Sequence, residues 1–356
     1  MFRNFSGRTA NEAWLALAEA FRPTLIGERA EPSTQASRAG PTREILHAAI
    51  SITDPVQRWV ASRNPPLNPA FAVAEVIWIL SGRNDSALPN YFNRELAKFA
   101  GKGLTYHGAY GHRLRKHFGI DQLDRAYHTL LQQPESRQAA MQIWDARYDL
   151  PLEDGRPVAE DIPCNMMSLL KIRSGSLEWT QILRSNDLFR GVPYNFIQFT
   201  TIQEIVAGWL GVKLGSYNQL SDSLHVYERD AALITASTSA VDEPNTDSLA
   251  LPRADFDMVL PELAAKADTV THDDVSTADL IRSATKSSLP TAYRNLLRLL
   301  CAEGARRRRD PEAVAEIMAG CGNLCLSGLF GRWLARWPDV HKPESDRTDP
   351  GAQILQ

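Results

Sequence analysis

The clearest hydrophobic period in the chain is Ile202, Ile205, Val206, Trp209 and Leu210, at i, i+3, i+4, i+7 and i+8. It predicts a helix closed by Gly211. A second amphipathic helix is expected around Trp14, Leu15, Leu17 and Phe21, and the polar, small-residue stretch 27–40 then reads as a loop. Residues 69–80 have helical length, a proline at the start and Gly82 just past the end, and they are apolar almost throughout. Strand character appears at 141–144 and 167–172, and 177–183 is expected to fold back on the latter through the Ser174-Gly175-Ser176 turn. Residues 236–250 are rich in Ser, Thr, Asp, Asn and Pro and read as a linker. Helical texture follows at 260–267, 292–304, 313–318 and 326–337, with a polar, fraying end from Pro338. The pattern predicts an α/β (α+β) unit over 1–250, with strands and helices mixed, and a mostly helical extension over 251–356.

Composition adds limits. The 356 residues carry 39 Lys+Arg against 42 Asp+Glu, a net charge of −3, which supplies no basic excess for nucleic acid. With 44% hydrophobic and 23% charged residues the chain is expected to be globular. Its length fits two domains, or one large catalytic unit with an appendage. The start lacks a secretory pattern and no run nears the ~18 apolar residues of a membrane span, so a cytoplasmic location is expected. Four cysteines are too few for a disulfide scaffold, and Cys164 stands far ahead of Cys301, Cys321 and Cys325. The Cys321–Cys325 spacing, with no histidine or second pair beside it, reads as buried packing rather than zinc ligation. The run Arg306 to Arg309 reads as a solvated helix end whose cations cap carbonyls.

Glu75 interrupts the most apolar window of the chain. Such a carboxyl either pairs at the helix edge or, desolvated, has a raised pKa. Cys164, in DIPCN, is either a small buried hydrophobe or a nucleophile, and the second reading needs a cation nearby. Arg184 is one, in the stretch RSNDLFRGVPYN, where Arg184, Ser185, Asp187 and Asn195 surround Gly191 and Pro193. A loop of that kind offers donors to a phosphate and a carboxamide to a planar base. His225 and Tyr227, in SLHVY, lie at strand spacing and face the same way.

In this order the pieces form a pattern: Glu75 in EVIWILSG, Tyr110-Gly111 with Arg115 in AYGHRLR, Pro163-Cys164, R-S-x-D-x-x-x-G-x-P-x-N from Arg184 to Asn195, and His225-x-Tyr227. Over about residues 36 to 230 the chain resembles the thymidylate synthase family, which includes the pyrimidine nucleotide hydroxymethylases. The resemblance implies that Cys164 adds to C6 of a pyrimidine nucleotide and makes C5 nucleophilic toward the one-carbon unit of 5,10-methylenetetrahydrofolate. It implies that Arg184 favours the thiolate and, with Ser185, binds phosphate. Arg38 matches the arginine of a phosphate loop, and Arg137 matches one reaching the phosphate across a homodimer. Glu75 matches the general acid/base, Tyr110 the tyrosine near the cysteine, His225 and Tyr227 the pair on the sugar 3′-hydroxyl, and Asp187 the aspartate on the pterin. Asn195 matches the residue that reads the base. A carboxamide there can donate to O4 and accept from N3–H of uracil, whereas cytosine reverses both polarities, so dUMP is the expected substrate.

The pattern also departs from the family. The histidine that often follows the cysteine is Asn165, and the second of two adjacent phosphate arginines is Gln138. The tryptophan pair that lines the folate pocket is absent from the region of Asn90-Tyr91-Phe92 and Leu96-Ala97-Lys98. The G-D before the H-x-Y motif is replaced within Asp222-Ser223-Leu224, and a helical segment stands where the family has its tail. Without those tryptophans water can reach the C5 methylene group, which leans the expected product from methyl toward hydroxymethyl. The rivals are a cytosine nucleotide (dCMP or CMP) hydroxymethylase and a non-catalytic nucleotide-binding homologue. Neither Cys164 nor Glu75 is needed for binding alone.

Overall fold

The computed structural model describes residues 1–22, 33–37, 40–237 and 243–337. Arg38 lies outside them, and so does the whole end from Pro338 that was expected to fray. The centre is a mixed sheet of seven strands: β1 (Arg3–Gly7), β2 (Ser33–Gln35), β3 (Thr42–Ile52), β4 (Ala140–Gln142), β5 (Asn165–Arg173), β6 (Ser176–Asp187) and β7 (Lys213–Tyr227). The order is β1-β3-β7-β6-β5-β4, with β2 paired on β3. β1 and β3 are parallel, as are β6 and β7, while the remaining pairs are antiparallel. This is the mixed sheet packed with helices that the pattern predicts.

The β5–β6 hairpin closes through Ser174 (φ 50°) and Gly175 (φ 74°), two left-handed residues whose twist matches that of the strands; Ser176 already belongs to β6. The expected loop over 27–40 is corrected in part. Ser33–Gln35 pairs with the start of β3, where backbone hydrogen bonding overrides a polar composition. The first helix is found at Ala10–Ala20, with a Thr9–Glu12 capping box, and a strand precedes it.

Two helices place the candidate chemistry. Pro69–Leu80 is capped by Asn68, whose side chain accepts from Phe71 N at 3.1 Å, and every residue in it except Glu75 is buried. Val192–Leu210 contains the predicted period but begins ten residues before it, and Gly211 (φ 65°) ends it. Its first half is buried on every side, so it shows no stripe.

The final third of the described chain is helical, as predicted: Arg253–Val270, Thr277–Lys286, Thr291–Arg307, Pro311–Ala319 and Leu324–Leu334. These helices cover the Pro69–Leu80 helix, and a single apolar core runs through both parts. The run Arg306 to Arg309 is not a solvated end. Arg306 and Arg307 pair with buried Glu303, and the Arg307 guanidinium lies 4.9 Å over the Tyr91 ring. Arg308 donates to the Tyr91 hydroxyl at 3.1 Å and to the carbonyls of Val270, Val275 and His272. Carbonyl capping therefore holds for Arg308, but only Arg309 is exposed. Desolvating these arginines is tolerable because each finds a carboxylate, carbonyl or ring. No disulfide joins the four cysteines, and Cys301, Cys321 and Cys325 are buried packing residues. Among the described residues no helix is long and apolar enough to cross a membrane.

Candidate active site

Cys164 sits immediately before β5, and β6 grips its backbone. Arg184 N donates to Cys164 O at 3.0 Å, while the Arg184 side chain donates through Nε to Pro163 O (3.0 Å) and through Nη2 to Ile162 O (3.1 Å). The guanidinium also lies 5.3 Å from the Trp144 ring. These contacts hold a permanent cation on the segment that carries the thiol.

Glu75 reaches the same place from its helix. Oε2 is enclosed with no hydrogen-bond partner among the described residues, and burial raises the carboxyl to about 8, with a hydrogen bond from Gln198 pulling the other way. Of the two sequence readings, this is the desolvated acid. Gln198 lies one helical turn beyond Asn195, so the two side chains share a face; sequence reasoning missed it although the i, i+3 spacing was visible. Tyr110 comes from a short turn pressed on the Glu75 helix. Gly111 permits that approach, since a Cβ there would stand 2.3 Å from Ile79 O. Burial and then neighbouring Cys164 raise the Tyr110 phenol, and a hydrogen bond with Asn165 opposes them. The phenol is therefore a neutral donor. Glu75, Tyr110, Cys164 and Asn165 thus converge, with Asp161 close by, its Oδ2 accepting from Gly108 N at 2.8 Å.

β6 and β7 supply the next group. Ser185 Oγ lies 3.5 Å from His225 Nδ1, and the His225 and Tyr227 rings meet edge-on at 5.5 Å, as their strand spacing predicts. Asp187 is opposite His225 in the parallel register. Its Oδ1 accepts from Phe189 N (2.7 Å) and Arg190 N (2.6 Å), whereas Oδ2 is buried without a hydrogen bond among the described residues and faces Arg190 Nη1 at 3.5 Å. A carboxylate oxygen with no hydrogen bond of its own can still accept from an N–H group of a pterin. Arg63, also missed from sequence, is directed here: Nε donates to Phe189 O at 2.7 Å, and Asp187 and Tyr194 act on its charge. Asn195 is buried and hydrogen-bonded to Asn165 (3.3 Å) and Asn186 (3.1 Å). The structure does not bring Arg137 into this group. It stands exposed, beside Gln138, in the turn between the Gln122–Gln132 helix and β4.

The buried acid gives a direct test. The folded chain keeps the Glu75 proton from the ordinary carboxylate range, near 4.5, up to about 8, whereas the unfolded chain releases it near 4.5. The stability linked to that proton is therefore complete below this window and is lost as pH rises through it. Glu75→Gln, which cannot ionise, is expected to melt progressively higher than the wild type as pH rises, the gap widening by up to about 1.4 kcal/mol per pH unit. A gap that stays constant between about pH 5 and about pH 9 would contradict the assignment.

A model of the thymidylate synthase family matches residues 64–264. Among curated relatives, Deoxyuridylate hydroxymethyltransferase of Bacillus phage SP01 is 35% identical over 243 residues, 65% of this chain and 62% of that protein. The protein of the same name from Pseudomonas phage M6 is 37% identical over 176 residues, 49% of each chain. A Methanothermobacter marburgensis protein named "Putative thymidylate synthase" is 30% identical over 218 residues, 61% of this chain and 89% of that protein. The matches to the two phage proteins thus span between about half and two thirds of their length. The family match takes in the Glu75 helix, the Tyr110 turn, Cys164 with its arginine, and Asn195. On that match, the chain belongs to the thymidylate synthase family.

Proposed function

We propose that this chain transfers a one-carbon unit to C5 of a uracil nucleotide, dUMP, through a covalent Cys164 adduct, and that the product is hydroxymethyl. The observation that carries the reading is that Cys164, Asn165 and Glu75 all act on the buried Tyr110 phenol, with the Asn195 carboxamide tied to Asn165. The Cys164 sulfur would add to C6, and Arg184, Ser185, His225 and Tyr227 would hold the phosphate and sugar. Tyr110, a neutral donor, would steady the adduct. Glu75, protonated near neutral pH, can deliver a proton to the ring oxygen through water and later receive the one lost from C5. Methylenetetrahydrofolate would supply the carbon, and Asp187 Oδ2 is the acceptor suited to its pterin.

Hydroxymethyl is favoured over methyl by Tyr91. It lies in the region where the family places its tryptophans, but its ring is covered by Arg307 and its hydroxyl accepts from Arg308. A residue so engaged does not shield the C5 methylene from water. The two phage relatives named deoxyuridylate hydroxymethyltransferases support the same product. We further place Arg137 at the phosphate held by a second copy in a cytoplasmic homodimer, Arg38 at the chain's own phosphate, and the unit boundary near residue 250. The test is mass spectrometry of the product from dUMP and methylenetetrahydrofolate. A mass gain equal to hydroxymethyl is expected, and a gain equal to methyl overturns the product assignment. Turnover of dCMP or CMP instead of dUMP overturns the base.

A further inference from the structure

Beneath the candidate site runs a chain of side-chain hydrogen bonds with no water-exposed member. Trp179 Nε1 donates to Gln181 Oε1 at 3.1 Å, and Ser168 Oγ donates to the same oxygen at 2.6 Å. Gln181 Nε2 donates to Asn165 Oδ1 at 2.8 Å, Asn165 Nδ2 to Asn195 Oδ1 at 3.3 Å, and Asn195 Nδ2 to Asn186 Oδ1 at 3.1 Å. Asn186 Nδ2 reaches Ser221 Oγ at 3.5 Å. Trp179, Ser168, Gln181 and Asn165 are all fully buried, and Asn195 and Asn186 nearly so.

The strands make this chain possible. Ser168 and Asn165 are three residues apart and would face opposite sides of a regular strand. A register shift between Asn165 and Met167 turns both toward Gln181. Asn186 is held down on Gly191, where a Cβ would stand 2.1 Å from Asn186 Oδ1.

A carboxamide can be turned over with little change of shape, so its polarity must be set by its neighbours. Here the setting starts from a group that can only donate. The Trp179 indole N–H fixes the oxygen of Gln181, which leaves the Gln181 amide nitrogen for Asn165. Asn165 then faces Asn195 with its own nitrogen, and Asn195 must answer with oxygen. We infer that Trp179, Gln181 and Asn165 are positioning residues that lock the Asn195 carboxamide in the orientation complementary to uracil and closed to cytosine. The inference rests on the dUMP reading given above. Each Asn195 polar atom spends one bonding position on the chain, leaving an acceptor and a donor for a base edge that offers N–H beside C=O. Turning Asn195 over to suit cytosine would set nitrogen against the Asn165 nitrogen and oxygen against the Asn186 oxygen, two mismatches in a site closed to water.

The test compares two aspartates on either side of Asn195. A carboxylate only accepts, so Asn165→Asp calls for the Asn195 nitrogen and reverses the lock, whereas Asn186→Asp asks for the nitrogen already directed at it. Both put one negative charge beside the same amide, so a general effect of charge or fold moves both alike. The readout is the ratio of dUMP to dCMP affinity by competitive titration on the full chain, at a pH where the new carboxyl is ionised. The ratio is expected to fall by at least about tenfold in Asn165→Asp and to change less than about threefold in Asn186→Asp. Gln181→Met, two links from Asn195, is expected to lower the ratio in the same direction, and it decides the matter if Asn165→Asp does not fold. Equal ratios in the wild type and all folded variants, or equal losses in the two aspartate variants, overturn the lock. A wild type without preference for dUMP overturns the uracil reading itself.

Discussion

Replacing Cys164 with serine is expected to lower tritium release from [5-³H]-dUMP by at least about three orders of magnitude, with dUMP binding retained. A hydroxyl keeps the size of the thiol but has almost no anion at neutral pH, so the bond to C6 does not form. Binding survives because it rests on other atoms: Arg184 stays fixed on the Ile162 and Pro163 carbonyls, and Asn195 stays tied to Asn165 and Asn186. Exchange of the C5 proton follows the covalent step even without the one-carbon donor, so the assay isolates Cys164 from the folate site. Release by Cys164→Ser at the wild-type rate would sink the adduct. Loss of both release and binding would instead mark Cys164 as a packing residue.

Much of this site was readable before folding because its chemistry is local. Glu75 stood out as the one charge in an apolar helix, and that contrast is what burial turns into a raised pKa. The Arg184 to Asn195 stretch kept its spacing because a strand end, a turn and the first turn of a helix are all short-range structures. What was hidden is equally specific. β7 escaped a hydrophobic reading because its buried positions include Tyr217, Gln219 and Ser221, polar groups satisfied by one another and by Asn186. No alternation of apolar and polar residues survives in such a strand. The helix from Val192 was missed at its start for the opposite reason, being enclosed on every side. Arg307 and Arg308 look like a solvated run because their partners, Tyr91 and Phe92, are more than two hundred residues away. Long-range pairing of that kind leaves no local signal.

Arg58→Met is expected to destabilise the chain by about 3–5 kcal/mol in urea unfolding. Arg58 and Glu204 are 2% and 3% exposed, and the Arg58 Nη2 proton is directed at Glu204 Oε2. Arg58 also donates to Thr201 Oγ1 at 3.2 Å, so it ties two points of the helix that carries Asn195 and Gln198. Glu204 Oε1 in turn accepts from Ser248 Oγ (3.1 Å) and Leu249 N (2.9 Å), and Leu249 O accepts from the Tyr293 hydroxyl at 2.6 Å. The ion pair is thus the start of a path from the Val192–Leu210 helix, through the linker, to the helical extension. Methionine fills most of the space but leaves a carboxylate buried without its cation, and such a group costs far more than an exposed pair would. The double variant Arg58→Met with Glu204→Gln is expected to recover much of the loss, because an uncharged amide oxygen still accepts from Ser248 and Leu249. Hydrogen exchange at Leu249 should then report the same order: fastest in Arg58→Met, intermediate in the double variant and slowest in the wild type. A single-variant loss below about 1 kcal/mol would show that the pair behaves like a surface one and that the extension is held by apolar packing alone.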